Sequence, residues 1–158
     1  MPTTTQRISA ILASAVILTG GAFAASLVPS VKANEKSTVN ADLEVTVEGV
    51  RNGNGHVIIL IMDDADAYNA FDYDAAAGYR EIAAAAGGVT ATFAGLPTGR
   101  YAVLAFHDEN GNRDLDMNDT IPGEGYAVSG ARDAFDAPTF DRASSDERSR
   151  RVQMYYLN

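Results

Sequence analysis

From Asp108 to Asn118 every second residue (Asp108, Asn110, Asn112, Asp114, Asp116, Asn118) carries a side-chain oxygen, and Asp119 follows directly. In a tight loop such side chains can turn inward together and surround a hard cation with carboxylate and amide oxygens, as Ca²⁺ requires. A twelve-residue calcium loop takes its ligands from positions one, three, five, seven, nine and twelve. Counted from Asp108, these are Asp108, Asn110, Asn112, Asp114, Asp116 and Asp119, all oxygen-bearing. Two positions depart from the template: Arg113 stands at position six, where glycine is usual, and Asp119 replaces a bidentate glutamate. A non-glycine residue at positive φ costs on the order of 1 kcal/mol. The shorter Asp119 also reaches less far, so the expected affinity for Ca²⁺ is weak, roughly 10⁻⁴ to 10⁻³ M. A solvated Asn/Asp/Gly turn bonded to its own backbone is the competing account of these residues.

Other chemistry has less to stand on. His107 adjoins the loop, but His56 is the only other histidine, and the absence of cysteine removes thiolate metal sites, cysteine catalysis and disulfides together. Ser129, Ser144 and Ser145 lie in no G-x-S-x-G setting, and spacing alone does not make a glycosidase pair of Asp63 and Asp64. The chain is therefore expected not to be an enzyme. Tyr126, Phe135, Phe140, Tyr155 and Tyr156, with Arg132 and Arg142, offer stacking faces for a glycan or a small apolar ligand, or else pack as core.

The elements that position these residues begin after a leader. Met1 to Gln6 is short and polar, Arg7 supplies one positive charge, and Ile8 to Leu18 is an uninterrupted run of apolar and small residues. This reads as a signal peptide over residues 1–33, cleaved after Ala24 or Ala33, with a periplasmic or extracellular destination and no stable membrane insertion afterwards. Cleavage after Ala33 removes Arg7 and Lys32, taking the formal charge from −9 to −11. A chain of this sign repels nucleic acid and anionic membranes. The remainder, about 120 residues, is long enough to bury one modest core without disulfides.

A polar linker, 34–41, precedes the alternating run Leu43 to Glu48. Asn52-Gly53-Asn54-Gly55 then leads into Val57 to Met62, so the pair reads as a β-hairpin with a buried second strand. Residues 63–86 suggest a helical turn followed by a strand around Tyr79 to Ile82. Val89 to Phe93, Arg100 to Phe106 with Tyr101, Val103 and Ala105 or the opposite parity inward, Ile121 to Ser129, and Arg150 to Leu157 complete the pattern. About seven short strands between Gly and Pro turns indicate an all-β single sandwich over residues 42–158.

Leu43 to Asn52, Leu96-Pro97-x-Gly99-x-Tyr101-Ala102-Val103, His107 to Asn112 with Leu115-Asp116, and Ile121-Pro122-x-Glu124-Gly125-Tyr126 resemble, in that order, the DUF2141 family of exported bacterial proteins. The resemblance implies an envelope location and a prealbumin-like or immunoglobulin-like sandwich. It also sharpens the departure at Arg113, since the family usually has glycine there. The acidic loop is similar to calcium loops of bacterial surface domains of the Cna-B and serine-aspartate-repeat type, although fold analogy does not carry function. The combined expectation is an exported, non-enzymatic sandwich whose loop takes up Ca²⁺ and orders the segment behind it. Two competing classes are a module binding a glycan or small hydrophobic molecule through residues 122–140, and an interaction protein pairing through an edge strand.

Overall fold

The computed structural model describes residues 39–157; the expected signal peptide and most of the linker lie outside the described residues. Among the described residues strand is the main regular structure. β1 (Ala41–Glu48) and β2 (His56–Met62) come first, then α1 (Ala65–Ala70), a 3₁₀ turn (Tyr73–Ala75), β3 (Gly78–Ala83), β4 (Gly88–Leu96) and β5 (Ala102–Asp108). β6 (Met117–Asn118), β7 (Ile121–Pro122), β8 (Gly125–Val128), α2 (Phe140–Ala143) and β9 (Ser149–Gln153) follow. They form a three-stranded sheet, β4-β1-β9, a four-stranded sheet, β3-β2-β5-β8, and the small hairpin β6-β7. Every pairing is antiparallel except β1 with β9, which is parallel.

The expected hairpin between the first two strands does not form. β1 pairs with β4 and β9, whereas β2 pairs with β3 and β5, so residues 49–55 cross from one sheet to the other. The residue patterns explain the separation. β1 alternates because one face is wet, while β2 is apolar throughout and needs a central place with cover on both sides. The crossing is fixed by backbone bonds to the segment before β4: Gly49 N–H donates to Gly87 O, and Gly87 N–H to Val50 O.

Two cores result, one on each side of the four-stranded sheet. Odd positions of β2 and β5 (Val57, Ile59, Ile61, Val103, Ala105) meet Leu43, Val45 and Val47 of β1, Ala91 and Phe93 of β4, and Val152 of β9 between the sheets. Even positions (Ile58, Leu60, Met62, Ala102, Leu104, Phe106) face outward onto Tyr68, Tyr73, Leu115, Phe140 and Ala143. Both parities of β5 are therefore buried, and the choice between them posed by its sequence dissolves. The cover on the outer side comes from short elements. α1 is started by Asp64, whose carboxylate accepts the Ala67 N–H, and it stops at Phe71, whose φ of 53° ends the helical turn. Phe140 of α2 meets Tyr68 edge-on at 5.7 Å.

Candidate functional site

Asp108, at the end of β5, is fully buried and closes the acidic loop by accepting backbone N–H bonds from Gly111 (2.7 Å), Asn112 (3.1 Å) and Arg113 (2.9 Å). Arg113 takes φ 65°, the left-handed conformation that the template reserves for glycine, and its exposed guanidinium pairs with Glu81 of β3 at 2.9 Å. Asp116 accepts from the side-chain amides of Asn110 and Asn112. Of the six expected ligands, Asp108, Asn110, Asn112 and Asp116 thus belong to one hydrogen-bonded knot. Asp119, at φ 57°, sits at the tip of the β6-β7 hairpin, where Asn118 pairs with Ile121. Asp114 is exposed and faces elsewhere, onto a trough described below. Among the described residues no three His, Cys, Asp or Glu side chains are grouped so as to hold a metal ion.

Glu124 joins the knot from the far side. It is 5 % exposed, and its two carboxylate oxygens accept the N–H of Glu109 (3.1 Å) and of Asp116 (3.4 Å), bracing both ends of the loop. Burial pushes its carboxyl above the ordinary value, and the neighbouring Asp116 and Asp108 charges add to that push against the two backbone bonds. Beside it His107 is fully buried, with Nε2 2.8 Å from the Asn54 carbonyl and Nδ1 2.8 Å from the Tyr156 hydroxyl. A carbonyl only accepts, so Nε2 carries the proton. Tyr156, which accepts from Arg51 N–H, meets Nδ1 through the same hydroxyl. His107 is a bolt between β5, the 49–55 crossing and the end of the chain. The Arg51 guanidinium, bonded to Glu109, holds that carboxyl at about 2, with Asn52 helping.

The concave feature lies on the outer face of the four-stranded sheet, where the cover is incomplete. A trough of about 550 Å³ has Leu60, Leu104, Phe106, Tyr126 and Val128 as its floor. One wall is the second half of the acidic loop with the small hairpin, through Leu115, Met117, Ile121 and Pro122; Phe71 and Tyr73 form another. Residues 134–137 form a third, pinned by the Tyr126 hydroxyl donating to the Ala134 carbonyl. Among the described residues six large apolar side chains are exposed, and four of them, Phe71, Met117, Ile121 and Phe135, line this trough. Phe135 is 83 % exposed. Apolar surface gathered in one concavity marks a binding site more often than scattered exposure does.

A family model described as an uncharacterized protein conserved in bacteria, DUF2141, matches residues 45–153. The chain belongs to the DUF2141 family. Comparison with curated proteins and with solved structures returned no match. The DUF2141 match spans the whole loop, the trough floor and β9, so both features lie within the family's own domain. Among the described residues no helix of this DUF2141 protein is long and apolar enough to cross a membrane.

The structure divides the aromatic group that the sequence suggested. Tyr126 and Phe135 line the trough, Phe140 packs in the outer core, Tyr155 bridges to Tyr126 along the backbone, and Tyr156 holds His107. Arg132 and Arg142 both pair with Asp136. Three contributors were not proposed as site residues from sequence: Glu124 stood only within the family-like segment Ile121 to Tyr126, and Phe71 and Tyr73 only as aromatics in an ambiguous stretch.

Proposed function

We propose that this protein is an exported, non-enzymatic module that holds a small hydrophobic molecule in the trough on its four-stranded sheet, with the acidic loop as one wall. The apolar concavity of about 550 Å³ carries this reading: it falls within the range of ligand pockets and takes part of its lining from residues 122–140. A glycan fits it less well, because a polyol needs many hydrogen-bonding groups and the lining offers few. Export rests on the leader's residue pattern. The strand orders β4-β1-β9 and β3-β2-β5-β8 support a prealbumin-like sandwich, since an immunoglobulin constant domain places its first, second, fifth and fourth strands side by side in one sheet. The decisive experiment is displacement of an environment-sensitive apolar dye from the purified protein, with and without Val128→Phe, which fills the floor. Dye bound equally by both forms, or by neither, refutes the reading.

A second reading keeps Ca²⁺ as a clamp on the loop, favoured by the positive φ of Arg113 at position six. Asp108, Asn110, Asn112 and Asp116 would hold the ion, which would supply charge neutralisation and order the trough wall; Glu124 lies beside them. A thermal melt in millimolar calcium against chelator tests it. The expected response is a rise in Tm that Asp108→Ala and Asp116→Ala abolish; an unchanged melt refutes the clamp.

A further inference from the structure

The trough has a chemically distinct end, and from it we infer that the bound molecule is an apolar chain terminating in a cationic amine. This deepens the reading of the trough as a ligand site and rests on it. Two carboxylates reach the lining, and they differ in one respect. Asp136 is already engaged by Arg142, by Arg132 and by the Arg132 N–H. Asp114 bonds only through its backbone, its N–H donating to Asn112; among the described residues its carboxylate has no hydrogen-bond or ion-pair partner.

Tyr73 stands at the same end. Its ring stacks on Phe106 at 6.4 Å and lines both the trough and a smaller recess of about 230 Å³ beyond it. The Tyr73 hydroxyl has no hydrogen-bond partner among the described residues, and Tyr73 lines the same trough as Asp114. An apolar channel with one unpaired acceptor and one unpaired hydroxyl converging on it orients a ligand by its head. No Lys, Arg or His lines the main trough. Arg113 in the recess beyond is paired with Glu81. A fatty carboxylate would therefore find no counter-charge there. It would meet Asp114 and the field of a chain with formal charge −9. A protonated amine finds both, with the hydroxyl as a second acceptor.

The test uses the full mature protein in chelator, which removes any contribution of divalent ions at Asp114, and titrates dodecylamine, dodecanol and dodecanoic acid below their aggregation limits. The expected order is amine, then alcohol, then acid, with amine over acid by about tenfold at low salt and less at high salt. Asp114→Asn, an exposed substitution, should bring amine and acid to within about twofold while leaving the alcohol unchanged. Dodecanoic acid binding as tightly as the amine, or an Asp114→Asn protein that keeps the preference, overturns the head-group inference and leaves the ligand site standing. Failure of all three to bind overturns the site itself.

Discussion

Replacing Asp108 by alanine removes a single acceptor that organises the entire loop. In the folded chain its carboxylate takes three backbone N–H bonds while wholly shielded from solvent. Bonds to a charged acceptor contribute about 1.5–3 kcal/mol each. The donors belong to Gly111, Asn112 and Arg113, which are exposed and regain water once the carboxylate is gone. The net cost of Asp108→Ala is therefore nearer 3 kcal/mol than the gross sum, or about 10 °C in Tm for a domain of this size. Asp108→Asn keeps one carbonyl oxygen but points an amide at a donor, and should cost about half as much. Thermal unfolding followed by circular dichroism, in chelator, measures both without a cation term. If Asp108→Ala melts within about 2 °C of the parent, the carboxylate is not what shapes the loop, and Asn110 and Asn112 must do so alone.

Gly125→Ala places a methyl 2.3 Å from the Tyr156 ring, which should cost about 2–3 kcal/mol. Combining it with Tyr156→Ala should cost less than the two single changes summed, and strict additivity in denaturant melts would contradict the clash. Glu109 is ionised well below its usual range: with its carboxyl at about 2 rather than 4.5, the Arg51–Glu109 pair contributes above about pH 4.5 and is lost as pH falls toward 2. Because the pair is partly exposed, Glu109→Gln should flatten the acid limb of a stability–pH curve by only about 1 kcal/mol; an unaltered limb refutes the assignment. Val128→Phe should abolish binding of an apolar dye while changing stability by less than about 1.5 kcal/mol, and retained binding would move the site elsewhere.

Strand positions were legible in the residues because burial demands leave a mark at period two, as in Leu43-Glu44-Val45-Thr46-Val47. Strand partners were not. The 49–55 segment has the glycines and asparagines of a hairpin turn, and only the continuous apolar character of β2 hinted that it needed two neighbours other than β1. The loop showed the same split between composition and geometry. Alternation marked Asp108, Asn110, Asn112 and Asp116, which the fold ties together by hydrogen bonds, while Asp119 falls at the tip of the β6-β7 hairpin, too short to leave a periodic signal. The trough was less visible still, because Phe71, the Leu115 to Ile121 stretch and Phe135 are separate in the chain and meet only over the face of β2, β5 and β8.

The parallel pairing of β1 with β9 joins residues about 100 positions apart, Glu44 beside Ser149. A nascent chain must therefore emerge almost to its final strand before the inner strand of that sheet acquires its second neighbour. Until then the amide edge of β1 stays bare, a template for association with other chains. Closing so distant a contact also carries a large entropic cost, which slows folding. Premature termination ahead of Ser149 should accordingly yield aggregates rather than a slightly trimmed version of the same molecule.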